Sequence, residues 1–287
     1  MNWTLGNSRF RLEIAPVGAE LRHWWDVRCQ RDWIWQPRDD IWMHSATQLF
    51  PVVGRLLHGG LRDNGAFYPL PDHGFLRHRP FTCLAQRRDR LHLMCEADDV
   101  TTAVWPFRWR LHIIWTLNDS GLAIRWRVEN TDQQPFGFSL GWHPGFALPV
   151  SSEPGWTVAF DENVRGPFAA VNRTLHIPDA APSVRRFVLE SERFSAGAHY
   201  FECCAGQTVR IVSPRGVTAL TLQTDRQRWL ALWGVPGADL LCIEPLAGTT
   251  DAPDFNGELW DKRGIIFLAP GQCYQHTVDV TLTADGA

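Results

Sequence analysis

The chain has 287 residues, 45% of them hydrophobic and 21% charged, with a formal net charge of −3. This is ample apolar material for a large core, in one large domain or two small ones, and all-β domains reach this size as single units. The acidic balance argues against nucleic acid or an anionic membrane as partner; Lys262 is the one lysine among 28 basic residues, so any anion site must be built from arginine.

Taken in order, Arg9-Phe10-Arg11-Leu12-Glu13-Ile14 alternates with period two and predicts a strand with one solvated face. Ile34-Trp35 and Ile41-Trp42 fall in a segment broken by Pro37 and Asp39-Asp40. The short apolar run from Gln48 to Leu56 turns at Pro51 and Gly54 and delivers Arg55. Turn formers then crowd His58 to Pro71, among them Gly59-Gly60 and Asn64-Gly65, which predicts a hairpin or ordered loop. It leads into His73-Gly74-Phe75-Leu76-Arg77, a Gly-hinged loop holding a histidine and an arginine close together.

The clearest pattern is central. Trp109, Leu111, Ile113, Trp115 and Leu117 share one face, Asn118-Asp119-Ser120-Gly121 turns the chain, and Leu122, Ile124, Trp126 and Val128 resume it. That is an antiparallel hairpin with an aromatic inner face and an arginine-rich solvated one. Residues 150–185 carry five prolines if Pro149 is counted with them and show no long period, so surface connections and short strands are expected there. Val209–Val212 with Val217–Leu222, and Leu230–Trp233 with Leu240–Ile243, make two further hairpins, and Tyr274–Leu282 closes the chain as a strand. No window shows sustained helical periodicity, and no linker or repeat divides the chain. The expectation is an all-β chain, a large antiparallel β-sandwich occupying 1–287 as a single domain.

Seven cysteines without a CxxC pair read as reduced thiols packed as small core residues in a cytoplasmic protein. Met1-Asn2-Trp3-Thr4 opens no signal-peptide pattern, and no apolar run approaches membrane-span length. Fifteen tryptophans against three tyrosines imply a large aromatic core, with a few indoles lining a pocket, since indole faces pack on sugar C–H groups and on cations.

Several chemistries are excluded by their missing signatures: no phosphate-binding glycine loop, no His/Cys cluster at metal-ligand spacing, and no nucleophile elbow around Ser139 or Ser213. What remains is dispersed: Arg55, His73, Arg77, His143 within Gly141-Trp142-His143-Pro144-Gly145-Phe146, and Glu244 within Cys242-Ile243-Glu244-Pro245. A histidine beside Gly or Pro is by itself more often a turn residue or a satisfied core donor than a catalytic group. Glu244 is sharper. It follows four apolar residues and precedes Pro245, so it reads as the end of a buried strand, where a carboxylate is costly unless paired or at work, and where burial raises its pKa toward that of a general base.

Together, His-Gly-Phe-Leu-Arg, His-Pro-Gly-Phe and Cys-Ile-Glu-Pro, preceded by Phe-Pro-Val-Val-Gly-Arg at 50–55, resemble the galactose mutarotase-like (aldose 1-epimerase) family. The bacterial branch with an HGFxR motif, which includes glucose-6-phosphate 1-epimerases, is the most similar, and the resemblance runs from residue 10 to residue 282. It implies a β-supersandwich with its site on the concave face, and a chemistry needing neither cofactor nor metal. Carried over motif by motif, Glu244 is the base, His143 the acid kept protonated by the nearby carboxylate, and His73 and Arg55 bind the sugar. Arg77 either joins Arg55 or Arg79 at the pocket mouth to grip a phosphate or braces its own loop through backbone carbonyls. The implied activity is interconversion of hexose anomers; the alternatives are a hexose-6-phosphate 1-epimerase and a non-catalytic carbohydrate-binding or sensing protein. The partner is a small-molecule sugar or sugar phosphate, with no nucleic acid and no membrane, and the chain is expected as a monomer or weak homodimer. Two departures from the family pattern stand out. Gly145 replaces an aromatic, which should open or reshape the pocket, and His199 stands where an acidic sugar-binding residue is common.

Overall fold

Period-two alternation becomes strand pairing along most of the chain in the computed structural model, which describes residues 1–283; residues 284–287 of the expected 1–287 domain lie outside the described residues. The first sheet comprises β1 (Trp3–Gly6), β2 (Phe10–Ile14), β3 (Leu21–Asp26) and β4 (Arg31–Asp32). There follow β5 (Ala46–Leu49), the hairpin β6 (Gly60–Asp63) and β7 (Ala66–Pro69), and then β8 (Thr82–Gln86) and β9 (Arg90–Glu96). The central hairpin is β10 (Trp109–Leu117) with β11 (Gly121–Asn130), followed by β12 (Phe136–Phe138), β13 (Leu140–Ala147), β14 (Thr157–Ala169) and β15 (Ser183–Val188). The C-terminal half adds β16 (His199–Glu202), β17 (Thr208–Val212), β18 (Thr218–Thr224), β19 (Trp229–Trp233), β20 (Leu240–Ala247), β21 (Ile266–Leu268) and β22 (Cys273–Leu282). The α-helix among the described residues is a single turn, Asp99–Thr102, and no helix there is long and apolar enough to cross a membrane.

The expected all-β architecture is what forms. A 14-stranded antiparallel sheet runs β5-β13-β20-β19-β16-β14-β17-β18-β22-β11-β10-β9-β8, with β15 on β14. Its two ends close on each other over an aromatic core: Trp142 of β13 meets Trp115 and Trp126 of the β10–β11 hairpin, Phe50 meets Trp109, and Gln48 accepts a hydrogen bond from Trp126 Nε1 at 2.8 Å. Trp109, Trp115, Trp126 and Trp142 are all fully buried, so each contributes a large apolar area to this closure. Because side chains alternate, the residues beside these core positions point to the sheet's other face. His143 follows Trp142 in that way.

Two expectations are corrected. Residues 157–169 form the longest strand, not a loose connection: β14 spans 13 residues, and its alternation is hidden because the register shifts between Ala159 and Val164 and again between Arg165 and Phe168. Such irregularities bend a strand and let it change partners, here among β15, β16 and β17. Glu244, for its part, stands in the middle of β20 and not at its end. Gly141 pairs with Leu246 and Gly145 with Cys242 in one register, and the ladder is silent in between, where Pro144 and Pro245 have no N–H to give. The strand therefore continues through Pro245.

The loops over this gap are held by close backbone approach. Gly74, at φ +72°, would place a Cβ 2.2 Å from Phe50 O, an atom that accepts the N–H groups of Phe75 and Leu76 at 3.0 and 3.2 Å. Only glycine meets both demands. Gly74→Ala is therefore expected to destabilise the fold by on the order of 1–3 kcal/mol, read as a lowered urea midpoint; an unchanged midpoint would mean that the loop does not depend on this contact.

Candidate active site

The silent stretch of ladder brings two side chains face to face. In the common register of β13 and β20, His143 lies opposite Glu244, and its Nε2 stands 3.4 Å from Glu244 Oε1. Across the sheet the row continues from Glu244 to Ala231 to Tyr200. Ala231 itself is fully buried. Glu244, Tyr200 and His143 line a cavity of about 310 Å³ whose walls also include Trp42, Arg55, His73, Arg173, Trp233 and Thr250. Its size lies at the lower end of small-ligand sites.

Electrostatics here are set by burial. The Glu244 carboxyl is pushed up to about 8 by loss of water. Desolvation, and next the neighbouring His73, draw His143 well below the ordinary imidazole range. This corrects the expectation that the carboxylate holds His143 protonated at neutral pH: removal from water outweighs attraction when both members of a pair are enclosed. At neutral pH the pair then holds one proton, resting on the carboxyl, and gives it up as pH rises through about 8. Shifting that proton to the imidazole creates a carboxylate base beside an imidazolium acid at no change in net charge.

His73 is also buried electrically, lowered to about 3 by desolvation and then by Arg77 and Arg173. Gly54 N donates to its Nδ1 at 3.2 Å, so the neutral ring carries its proton on Nε2 as a fixed donor. The ring sits edge-on to His143, centroids 5.8 Å apart. Arg55 lines the cavity, its backbone N–H donating to Thr250 Oγ1 at 3.1 Å and its Nη1 to Asn172 O at 3.1 Å. Gly54 permits this, since a Cβ there would meet Thr250 Cα at 2.4 Å. Beneath, the buried Lys262 Nζ meets Asp251 Oδ1 at 2.5 Å while Asp251 accepts from Leu57 N at 2.8 Å, which ties the Arg55 loop to the segment after β20. Among the described residues no group of three or more His, Cys, Asp or Glu is arranged to hold a metal.

Arg77 takes the bracing role. It does not line the cavity; Nη2 donates to Asp72 O at 3.0 Å and fastens its own loop. The mouth arginine is instead Arg173, paired with Asp72. His199 also stays out of the cavity. Ala198 and Tyr200 face it, so the residue between them faces away, where His199 Nε2 bonds Arg193 O at 2.8 Å. Gly145 does not open the pocket either: a Cβ there would touch Trp42 at 2.7 Å, and Trp42 fills the place, stacked on His143 with centroids 4.9 Å apart. Trp42, Trp233, Tyr200, Arg173 and Thr250 were not singled out by the sequence. Trp233 shares a face with Ala231 by alternation along β19, whereas Tyr200 joins that row only through the β16–β19 register; Trp42 and Arg173 sit in loops and carry no such signal.

A sequence model described as aldose 1-epimerase matches residues 1–281. No curated protein sequence matches the chain. Among solved structures, it superposes on a galactose mutarotase related enzyme from Lactobacillus acidophilus with a TM-score of 0.90 at 24% identity, covering 99% of this chain and 97% of the other. A galactose mutarotase-like protein from Lactobacillus casei gives 0.87 at 22%, covering 99% and 100%. Another, from Clostridium acetobutylicum, gives 0.76 at 14%, covering 98% and 94%. At these identities the superpositions speak for the fold.

The buried carboxyl has a consequence for stability. Its folded pKa is raised from an ordinary 4.5 to about 8, so its contribution is full below pH 4.5 and is lost as pH rises through about 8, on the order of 5 kcal/mol in all. Glu244→Gln removes this slope. The variant's stability advantage over the parent is expected to grow from pH 5 to pH 8 and level off above, followed by thermal unfolding; parallel pH profiles would assign the carboxyl an ordinary pKa.

Proposed function

The chain belongs to the aldose 1-epimerase family, and we propose that it interconverts the α and β anomers of a hexose. The observation that carries this reading is the buried pair, His143 Nε2 and Glu244 Oε1 at 3.4 Å, at the floor of a cavity walled by indoles. Mutarotation needs that arrangement. Glu244 takes the proton of the anomeric hydroxyl while His143 delivers a proton to the ring oxygen, and the C1–O5 bond breaks to give the open aldehyde. Rotation about C1–C2 followed by the reverse transfers closes the ring on the other face. His73 Nε2–H and the Arg55 guanidinium bind sugar oxygens, and Trp42 and Trp233 pack on the C–H faces of the ring.

A hexose 6-phosphate is the second reading, and Arg55 and Arg173 at the cavity favour it in place of Arg77. Asp72 already pairs with Arg173, while Arg55 forms no ion pair among the described residues, so Arg55 is the arginine free to meet a phosphate. Faster turnover of glucose 6-phosphate than of glucose or galactose would decide for this substrate.

Anomer exchange followed by NMR tests the chemistry. Glu244→Gln is expected to lower the rate by on the order of 10²–10⁴ while sugar binding persists; retained exchange removes Glu244 from the role, and binding with no exchange in the parent makes the chain a sugar-binding protein. The pair is active with one proton. As pH rises above about 8 that proton is lost and kcat/KM falls; on the acid side a second proton enters through His143, whose limb lies well below 6.5. A profile that instead climbs steadily through pH 9 would contradict the one-proton pair.

A further inference from the structure

A second cavity, of about 530 Å³, is lined by Glu202 of β16, Trp229 of β19 and Ala247 at the end of β20. Glu202, Trp229 and Leu246 are paired in one row across β16, β19 and β20, two residues along from the row Tyr200, Ala231, Glu244. At about 3.4 Å per residue the two rows lie roughly 7 Å apart. The second cavity is lined by Arg226, Arg228, Arg263, Trp229, Tyr274 and Glu202, so three guanidinium groups meet one carboxylate. That carboxylate is already engaged: Glu202 is held by Arg165 at 2.5 Å from outside the cavity and reaches Arg228 only at 3.6 Å. Arg226 and Arg263 form no ion pair among the described residues. Their guanidinium carbons instead lie over aromatic rings, Arg226 at 6.0 Å from Tyr274 and Arg263 at 5.9 Å from Trp229.

We propose that this cavity is a second ligand site, for an anionic ring compound: a sugar carrying a phosphate or a carboxylate. Guanidinium forks bind either anion in bidentate fashion, and the Trp229 and Tyr274 rings offer apolar faces for the body of the ligand. The cavity volume lies well within the range of small-molecule sites. The site also has a physical link to the first. Arg263 Nη1 donates to Thr249 Oγ1 at 3.3 Å and to Leu175 O at 3.4 Å, and the segment after Thr249 carries Thr250 and Asp251, which hold the Arg55 loop. A ligand drawing on Arg263 therefore pulls on the support of the neighbouring cavity.

The test is calorimetric titration of the Glu244→Gln protein, so that binding is read without turnover, with three probes: glucose 6-phosphate, glucuronate and inorganic phosphate. The expected result is a binding event that weakens at least tenfold when Arg226 and Arg228, both exposed, are replaced by alanine, and that survives Arg55→Ala. Preference for glucose 6-phosphate or for glucuronate identifies the anion, and binding of inorganic phosphate alone removes the ring from the proposal. The idea is overturned if no probe gives an event that Arg226→Ala/Arg228→Ala removes, or if Arg55→Ala alone abolishes all binding. In the parent background the double alanine variant is expected to keep anomer exchange of free hexose, so failure here leaves the epimerase reading standing.

Discussion

Pro144 and Pro245 face each other's strands within one interval of the β13–β20 ladder, and much of the site depends on what they withhold. A proline has no N–H to donate, so each strand lacks one of the hydrogen bonds that would complete the ladder between Gly141–Leu246 and Gly145–Cys242. In the middle of a sheet this is a loss of order that the flanking pairs must carry. The same interval sets His143 opposite Glu244 on the face turned away from the tryptophan core, and the loops at Gly54 and Gly74 close over it through backbone contacts that leave no room for a Cβ.

Enclosure is what gives this pair its character. Exposed, a histidine and a glutamate would rest at neutral pH as a neutral imidazole and a carboxylate, held together weakly. With water removed, the carboxyl is raised, the imidazole lowered, and a single proton serves both groups. Stability and the proposed chemistry pull in opposite directions at Glu244, because ionising it costs the fold free energy while action as a base would require it. Sites that concentrate perturbed acids in a recess commonly show that opposition.

The hairpins were legible in the sequence: β10 pairs with β11 as the alternation predicts, and β17 with β18 and β19 with β20 pair as the short apolar runs on either side of their turns predict. Strand β14 was not, since Asp161-Glu162-Asn163 and two register shifts break its period. Within the site, Arg55, His73, His143 and Glu244 converge on one cavity from four separate segments, while the two readings held open for Arg77 part on a single hydrogen bond to Asp72 O. Trp42 illustrates what sequence pattern cannot reach. It occupies the room that Gly145 leaves, a compensation between a loop and a strand roughly a hundred residues apart in the chain, with no local periodicity to announce it. His199 was a matter of parity: once Tyr200 faces the cavity, its neighbour in an extended strand cannot.

The proposed chemistry turns on His143 and Glu244 sharing one proton at neutral pH, resting on the carboxyl. Infrared difference spectroscopy of the parent against Glu244→Gln, with the His143 ring nitrogens observed by NMR, reads both groups directly. The expected result is a protonated-carboxyl band that disappears with a midpoint of about 8 and a neutral imidazole throughout the neutral range. An imidazolium at position 143 at pH 7, with no carboxylic acid band to match, would contradict it.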